Sequence, residues 1–310
     1  MGTRFTINLW LGPRSGAVAA GDAVRAAFHE VARLEAIASE WQPDSDISRL
    51  NRAAGGEPIV VAPDLIDLLN RSRTISEATA GAFDISFYAV GALWNFDPGS
   101  RPPSAEAIRE QLMLVDWRLI HVDAARGRAR LTRSGMRIGL GAIAKGYAVD
   151  RASHLLRARG FPDHIVEGGG DTYVAGTKGD QSWRVGIKDP AGHGTLAALP
   201  VHNMAVVTSG TYERYFEYEG TQYTHILDPS TGWPIKRASS PLSVSAIATN
   251  ATDADAFATA ISVMGTEAGL RFVETKPGLD VVIVDTRGKL RFSAGLKDKL
   301  EVHASADATP

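Results

Sequence analysis

The chain has no cysteine among its 310 residues. That removes a disulfide framework, a thiolate metal centre and a cysteine nucleophile together. It leaves the redox compartment open, because a cysteine-free chain works in either state. An excess of charge of one sign is also missing. Lys and Arg number 33 against 35 Asp and Glu, a formal net charge of −2. No global positive field gathers nucleic acid. No apolar run is long enough for a transmembrane helix. The first residues, MGTRFTINLW, lack the basic-then-apolar order of a signal peptide and read as a strand. There is no internal repeat and no low-complexity linker.

What remains is ordinary globular material, 44% hydrophobic and 22% charged. Thr3 to Leu11 alternates as a strand, and Asp22 to Ser39 has the apolar spacing of an amphipathic helix. The segment 41–51 is polar. Pro63 opens a second helix that ends near Gly81, and a third is predicted from Ser104 to Val115. Residues 117–122 and 128–133 form a hairpin across 123–127. A short strand at Met136 to Leu140 leads to a helix from Ile143 to Arg159, stopped by Gly160. Short β segments follow at 164–171, 182–190, 204–210 and 222–229. A strand from Leu242 to Ala248 leads into a helix from Thr252 to Met264, and a hairpin joins 280–285 to 289–294. Helices early, hairpins in the middle and one helix late predict an α+β fold. The expected organisation is one domain over 1–300 with a disordered tail over 301–310.

The stretch 137-RIGLGAIAKGYAVDRA-152 carries Gly139, Gly141 and Ala144 as G-x-G-x-x-A. A dinucleotide-binding Rossmann turn needs repeated βαβ units around it, and the neighbours here are hairpins. The P-loop frame fails outright at Lys145. Backbone amides at a helix start, with Lys145 in the first turn, would suit any diphosphate. On this stretch alone, a glycine-rich strand-to-helix turn with a solvated lysine accounts for it best.

Asp255 and Thr259 stand four apart on the last predicted helix and share a face. A carboxylate and a hydroxyl are hard oxygen donors of the kind Mg²⁺ takes beside substrate phosphates. Spacing alone fits an exposed Asp and a Thr bonded to its own helix better. In 224-THILDPSTGWP-234, His225 sits near a strand end before a rigid turn. An imidazole there would serve as a general base, and a strand histidine beside an Asp-Pro turn is the plainer account.

Eight stretches taken together resemble the ApbE family of FAD:protein FMN transferases. They are MGTRF, 45-SDISRLN-51, 81-GAFDIS-86, 139-GLGAIAKGYAVD-150, 183-WRVGIKDP-190, 207-VTSG-210, 224-THILDPSTGWP-234 and 253-DADAFATA-260. They run nearly end to end in the family's order. The resemblance implies a T-fold-like antiparallel β core with flanking helices that binds FAD with Mg²⁺. It implies cleavage of the FAD diphosphate, transfer of FMN to a Thr or Ser of an acceptor protein such as an electron-transfer subunit, and release of AMP. By the same resemblance, Asp255, Thr259 and the carbonyl of Ala142 are metal ligands. Met1, Trp41, Leu93, Trp94, Asn95, Gly139, Lys145 and Ile226 fall at FAD contacts, and His225 at the proposed base.

Three departures stand out. The family commonly has Asp at Gly139, Gly at Asn95 and Glu at Asp171. Family members often carry a signal or lipid anchor, so a mature or leader-less form in the bacterial cell envelope is expected, with the cytoplasm as the alternative. A flavin diphosphatase using water, or a non-catalytic flavin-binding protein, would use the same pocket.

Overall fold

A computed structural model of the chain describes residues 2–12, 16–192, 194–236, 240–303 and 308–309. Strand β1 (Phe5–Leu9) leads to helix α1 (Ala17–Ala38). The helix starts earlier than Asp22 because residues 17–20 are alanine-rich and favour it. It buries Ala20, Ala23, Ala27, Val31, Leu34 and Ala38. The polar segment that follows holds a short helix that periodicity missed, α2 (Asp46–Arg52). Ser45 caps it, accepting from Ser48 N at 3.1 Å. Strand β2 (Ile59–Val60) precedes α3 (Pro63–Ala78), which has proline in its first turn as predicted. A single turn, α4 (Tyr88–Gly91), and α5 (Ala105–Leu112), capped by Ser104, complete the first third.

The predicted hairpin forms as β3 (Ile120–Asp123) and β4 (Arg128–Leu131). In the segment 136–140 every residue but Arg137 is buried, and it pairs with no strand. The Asn51 side chain takes the partner's place. Its Nδ2 donates to Ile138 O at 3.0 Å and its Oδ1 accepts from Ile138 N at 2.8 Å. Helix α6 (Ala144–Ala158) follows and ends just before Gly160.

The segment read as one strand over 164–171 is a hairpin corner. Strands β5 (His164–Gly168) and β6 (Asp171–Ala175) turn across Gly169 and Gly170, whose φ values of +60° and +92° suit glycine. Strand β7 (Trp183–Lys188) pairs with β8 (Thr195–Val201), which Pro200 hid from a strand reading. Then come β9 (Met204–Gly210), the small hairpin β10 (Tyr215–Tyr218) and β11 (Thr221–Thr224), and β12 (Ser243–Ala248). Helix α7 (Ala251–Met264) is followed by an unforeseen α8 (Thr266–Glu274), then β13 (Asp280–Val284) and β14 (Leu290–Phe292). The tail expected to be disordered contributes β15 (Glu301–Val302) against β8 and β16 (Ala308–Thr309) against β14. Residues 304–307 and 310 lie outside the described residues.

The main sheet runs β1-β5-β6-β9-β12-β13-β14-β16 and is antiparallel except for its last pair. Both faces are covered. Val207, Val244, Ala246, Val281 and Ile283 pack toward α6 and α7. Val206, Ile247, Val282 and Val284 pack against the second sheet, β15-β8-β7. Two-sided burial explains why β12 and β13 read as near-continuous small and apolar runs rather than alternating ones. This is the α+β core with flanking helices that the sequence predicts. A separate aromatic cluster of Trp94, Phe96, Phe216, Tyr223 and Trp233 stands beside it.

Candidate active site

Helices α6 and α7 cross with their backbones in contact. A Cβ at Gly146 would lie 2.1 Å from Ala251 O. One turn further along α6, Asp150 accepts from Ala251 N and Thr252 N at 2.8 Å each. Asn250 accepts from Asp253 N at 2.8 Å. These bonds satisfy orphan amides at the start of α7 and lock the crossing. The crossing brings together residues more than a hundred positions apart.

Lys145 is the centre of what it assembles. Its Nζ donates to Asp255 Oδ1 at 2.9 Å and to Gly141 O at 3.4 Å. It also lies 3.3 Å from Asp171 Oδ2, an ion pair without hydrogen-bond alignment. Asp255 Oδ2 accepts from Gly146 N at 3.2 Å. Asp171 is 1% exposed and neither carboxylate oxygen has an aligned donor. Burial, and then repulsion from Asp255, raise the Asp171 carboxyl well above the usual range, against the pull of Lys145. Burial opposes the ammonium of Lys145, but Asp171 and Asp255 outweigh it and hold Lys145 charged.

Thr259 lies one turn beyond Asp255, its Oγ1 3.4 Å from Ser209 Oγ on β9. These residues line a cavity of about 810 Å³ together with Ala142, Trp41, Gly139, His225 and Ile226. Trp41, 78% exposed, stands at its mouth. His225 places Nδ1 3.1 Å from Arg214 O. A carbonyl only accepts, so Nδ1 carries the proton and Nε2 presents a lone pair. Burial, then the charges of Arg214 and Lys145, lower the His225 pKa and favour the neutral ring. The turn after it is rigid: Asp228 Oδ1 accepts from Ser230 N and Asp228 O from Gly232 N, both at 2.8 Å.

Eight predicted residues therefore share one cavity: Trp41, Gly139, Ala142, Lys145, His225, Ile226, Asp255 and Thr259. Leu93, Trp94 and Asn95 do not line it; Ala82 to Ile85 and Phe87 do. Trp94 belongs to the aromatic cluster, where its Nε1 donates to Gly232 O at 3.1 Å and braces the loop after His225. Asn95 turns its Oδ1 to Asp97 N at 3.0 Å. Met1 lies outside the described residues. At Gly139 the Tyr88 ring would stand 2.9–3.0 Å from a Cβ, so the family's Asp has no room. A nearby acid remains: Glu40 lines the cavity, and burial raises its carboxyl.

Asp171, noted in the sequence only as a departure from the family's Glu, was not counted as a site residue because GGGD reads as a turn; it opens the buried strand β6. No three His, Cys, Asp or Glu side chains cluster as a metal site among the described residues. Ala142, Asp255 and Thr259, the expected oxygen donors, line the one cavity.

The sequence pattern of the ApbE family matches residues 1–283. This chain belongs to the ApbE family. The FAD:protein FMN transferase of Treponema pallidum is 38% identical over 301 residues, covering 90% of this chain and 82% of that protein. One from Klebsiella pneumoniae is 30% identical over 260 residues, 83% of this chain and 80% of its own length. Among solved structures, the ApbE protein of Thermotoga maritima superposes with a TM-score of 0.83 at 32% identity, over 95% of this chain and 94% of that one. The flavin transferase ApbE of Vibrio cholerae gives 0.83 at 25% identity, over 96% of each chain. The antiparallel core and its flanking helices are thus those of the ApbE family.

Proposed function

We propose that this ApbE chain is an FAD:protein FMN transferase that cleaves the FAD diphosphate at the Lys145–Asp255 site and attaches FMN to an acceptor hydroxyl. The transferase activity follows from membership of the family and from relatives of that name over most of their length. The observation that carries the assignment of the site is the ammonium of Lys145 held between two buried carboxylates, at the start of a helix and at the edge of an open cavity.

Those carboxylates support a cation site, since Asp171 is buried with its oxygens unaligned to any donor. The donors fit Mg²⁺: Asp255, Thr259 and the Ala142 carbonyl are hard oxygens on two elements fixed by the α6–α7 crossing. When bound, the ion would supply charge neutralisation at the diphosphate.

The chain's own residues would do the rest. Lys145 faces the diphosphate and offsets its charge. Trp41 offers an aromatic face to the isoalloxazine ring. His225 receives the hydroxyl proton at Nε2 as the acceptor oxygen attacks the FMN phosphorus. The phosphorus–oxygen bond to AMP breaks, and AMP leaves with the electron pair. The acceptor is a protein bearing a threonine or serine, such as an electron-transfer subunit in the cell envelope. In-gel flavin fluorescence of an acceptor incubated with FAD and Mg²⁺ tests this reading. Asp255→Ala is expected to abolish the band; an undiminished band refutes the site. AMP and free FMN without a labelled acceptor would make the protein a diphosphatase.

A further inference from the structure

The second sheet ends in a free edge. Strand β7 pairs with β8 on one side, and no strand pairs with its other side among the described residues. The register fixes which groups face that free side. Arg184 stands opposite Pro200, which has no N–H, so this is a pair that exchanges no hydrogen bonds. Two residues on, Gly186 and Ala198 repeat it. The N–H and C=O groups of Arg184 and Gly186 therefore point away from β8.

Exposed edges are usually short, charged or covered. Arg184 and Lys188 meet part of that need. What sets β7 apart is where its free side lies. Val185, Gly186 and Lys188 line the same cavity as Lys145, His225, Asp255 and Thr259. Arg184, Gly186 and Lys188 share one exposed face, while Ile187 is buried in the core on the other. At Gly186 the Thr195 side chain of β8 crosses that face, its Cγ2 2.8 Å from where a Cβ would lie. Arg184 is paired with Glu301. Lys188 has no carboxylate partner among the described residues and rests over the Tyr212 ring at 5.1 Å.

We propose that the acceptor protein docks an extended segment alongside β7 as an added strand and delivers its hydroxyl into the cavity from there. This rests on the transferase reading above, which requires a polypeptide to reach the site. Main-chain bonds to Arg184 and Gly186 supply affinity without fixing sequence, and side chains on alternate positions supply selectivity. The unpaired charge of Lys188 selects an acidic residue beside the acceptor hydroxyl. Six residues of strand span roughly 20 Å, enough to hold such a segment in one register.

The test uses the full chain, FAD, Mg²⁺ and synthetic ten-residue peptides with one threonine, with aspartate or lysine scanned through the flanking positions. Covalent flavin is read by fluorescence and FAD affinity by titration. Wild type is expected to label aspartate-flanked peptides best. Arg184→Pro removes one outward N–H and no bond to β8; it should raise the peptide KM about tenfold with FAD affinity unchanged. Lys188→Glu should shift preference toward lysine-flanked peptides. Equal peptide KM and equal preference in all three proteins overturn the docking. So does labelling of a folded acceptor when no peptide reacts. A wild-type protein that binds FAD but labels neither peptide nor folded acceptor contradicts the transferase reading instead, and the docking falls with it.

Discussion

Two glycine-to-alanine changes in helices should act in opposite directions. Gly146 lies where α6 touches α7. An added Cβ would meet Ala251 O at 2.1 Å, Ala251 C at 2.5 Å and Thr252 N at 2.9 Å. All three are backbone atoms, and Asp150 pins the Ala251 and Thr252 amides. The helices must separate by about 1 Å to reach ordinary contact. Overpacking of this kind costs about 1–3 kcal/mol or more, against about 1 kcal/mol gained in helix propensity. A clash with backbone atoms lies at the upper end of that cost, so Gly146→Ala should destabilise by about 2 kcal/mol net. Because Lys145 and Asp255 sit on the two helices being parted, transfer should fall by about a hundredfold. Gly21 in α1 is the control. Its Cβ would meet only the flexible end of Arg25 at 3.6 Å. Gly21→Ala should stabilise by up to about 1 kcal/mol and leave transfer unchanged. Thermal unfolding and flavin transfer, measured side by side, decide it. An equal Tm and rate for Gly146→Ala would refute the crossing as the device that aligns the site.

Other consequences follow from individual groups. The His225 pKa is lowered from 6.5, so its ring stays neutral as pH falls to that value and protonates only below it. Transfer should hold between pH 8 and 6.5 and decline below, and His225→Gln should lose both most of the rate and that acid limb. Asp171 binds its proton more tightly in the folded chain than in the unfolded one, where the pKa is about 3.9. The stability it contributes is present below the unfolded value and lost as pH rises through the folded one. In chelator, Asp171→Asn should raise Tm at pH 8, and the gain should shrink toward pH 4; a gain that does not vary with pH would refute this. Gly139→Asp should weaken FAD binding and cost about 1–3 kcal/mol against the Tyr88 ring. Tyr88→Ala in the same chain should recover part of that loss.

Much of the secondary structure was legible where punctuation was local. Pro63, Ser104 and Gly160 mark helix ends, and the 280–294 hairpin is marked by its polar turn at Thr286, Arg287 and Gly288. Elements lacking such marks were missed: α2 sits in a polar stretch, β8 carries Pro200, and α8 follows α7 after a single glycine. Residues 136–140 read as a strand because apolar Met136, Ile138 and Leu140 alternate, yet their partner is the side chain of Asn51. Sheet order could not be read, because burial on both faces erases the alternation that tells one face from the other. Asp255 and Thr259 could be paired from their spacing. Their meeting with Lys145 could not, because it depends on Gly146 letting α6 approach α7 across 110 positions of sequence. Asp171 hid in a glycine turn for the same reason: its burial is a tertiary fact. Trp94, expected at an FAD contact, lies off the cavity in the aromatic cluster and donates to Gly232 O in the loop after His225.

The central claim is that FAD is cleaved at the Lys145–Asp255 site in order to label a protein. Counting AMP released against FMN covalently attached, in one reaction with FAD, Mg²⁺ and a threonine acceptor, tests it most directly. One AMP per attached FMN, with both lost together in Asp255→Ala, is the predicted result. AMP released in large excess over attached FMN, or attachment that survives Asp255→Ala, would contradict it.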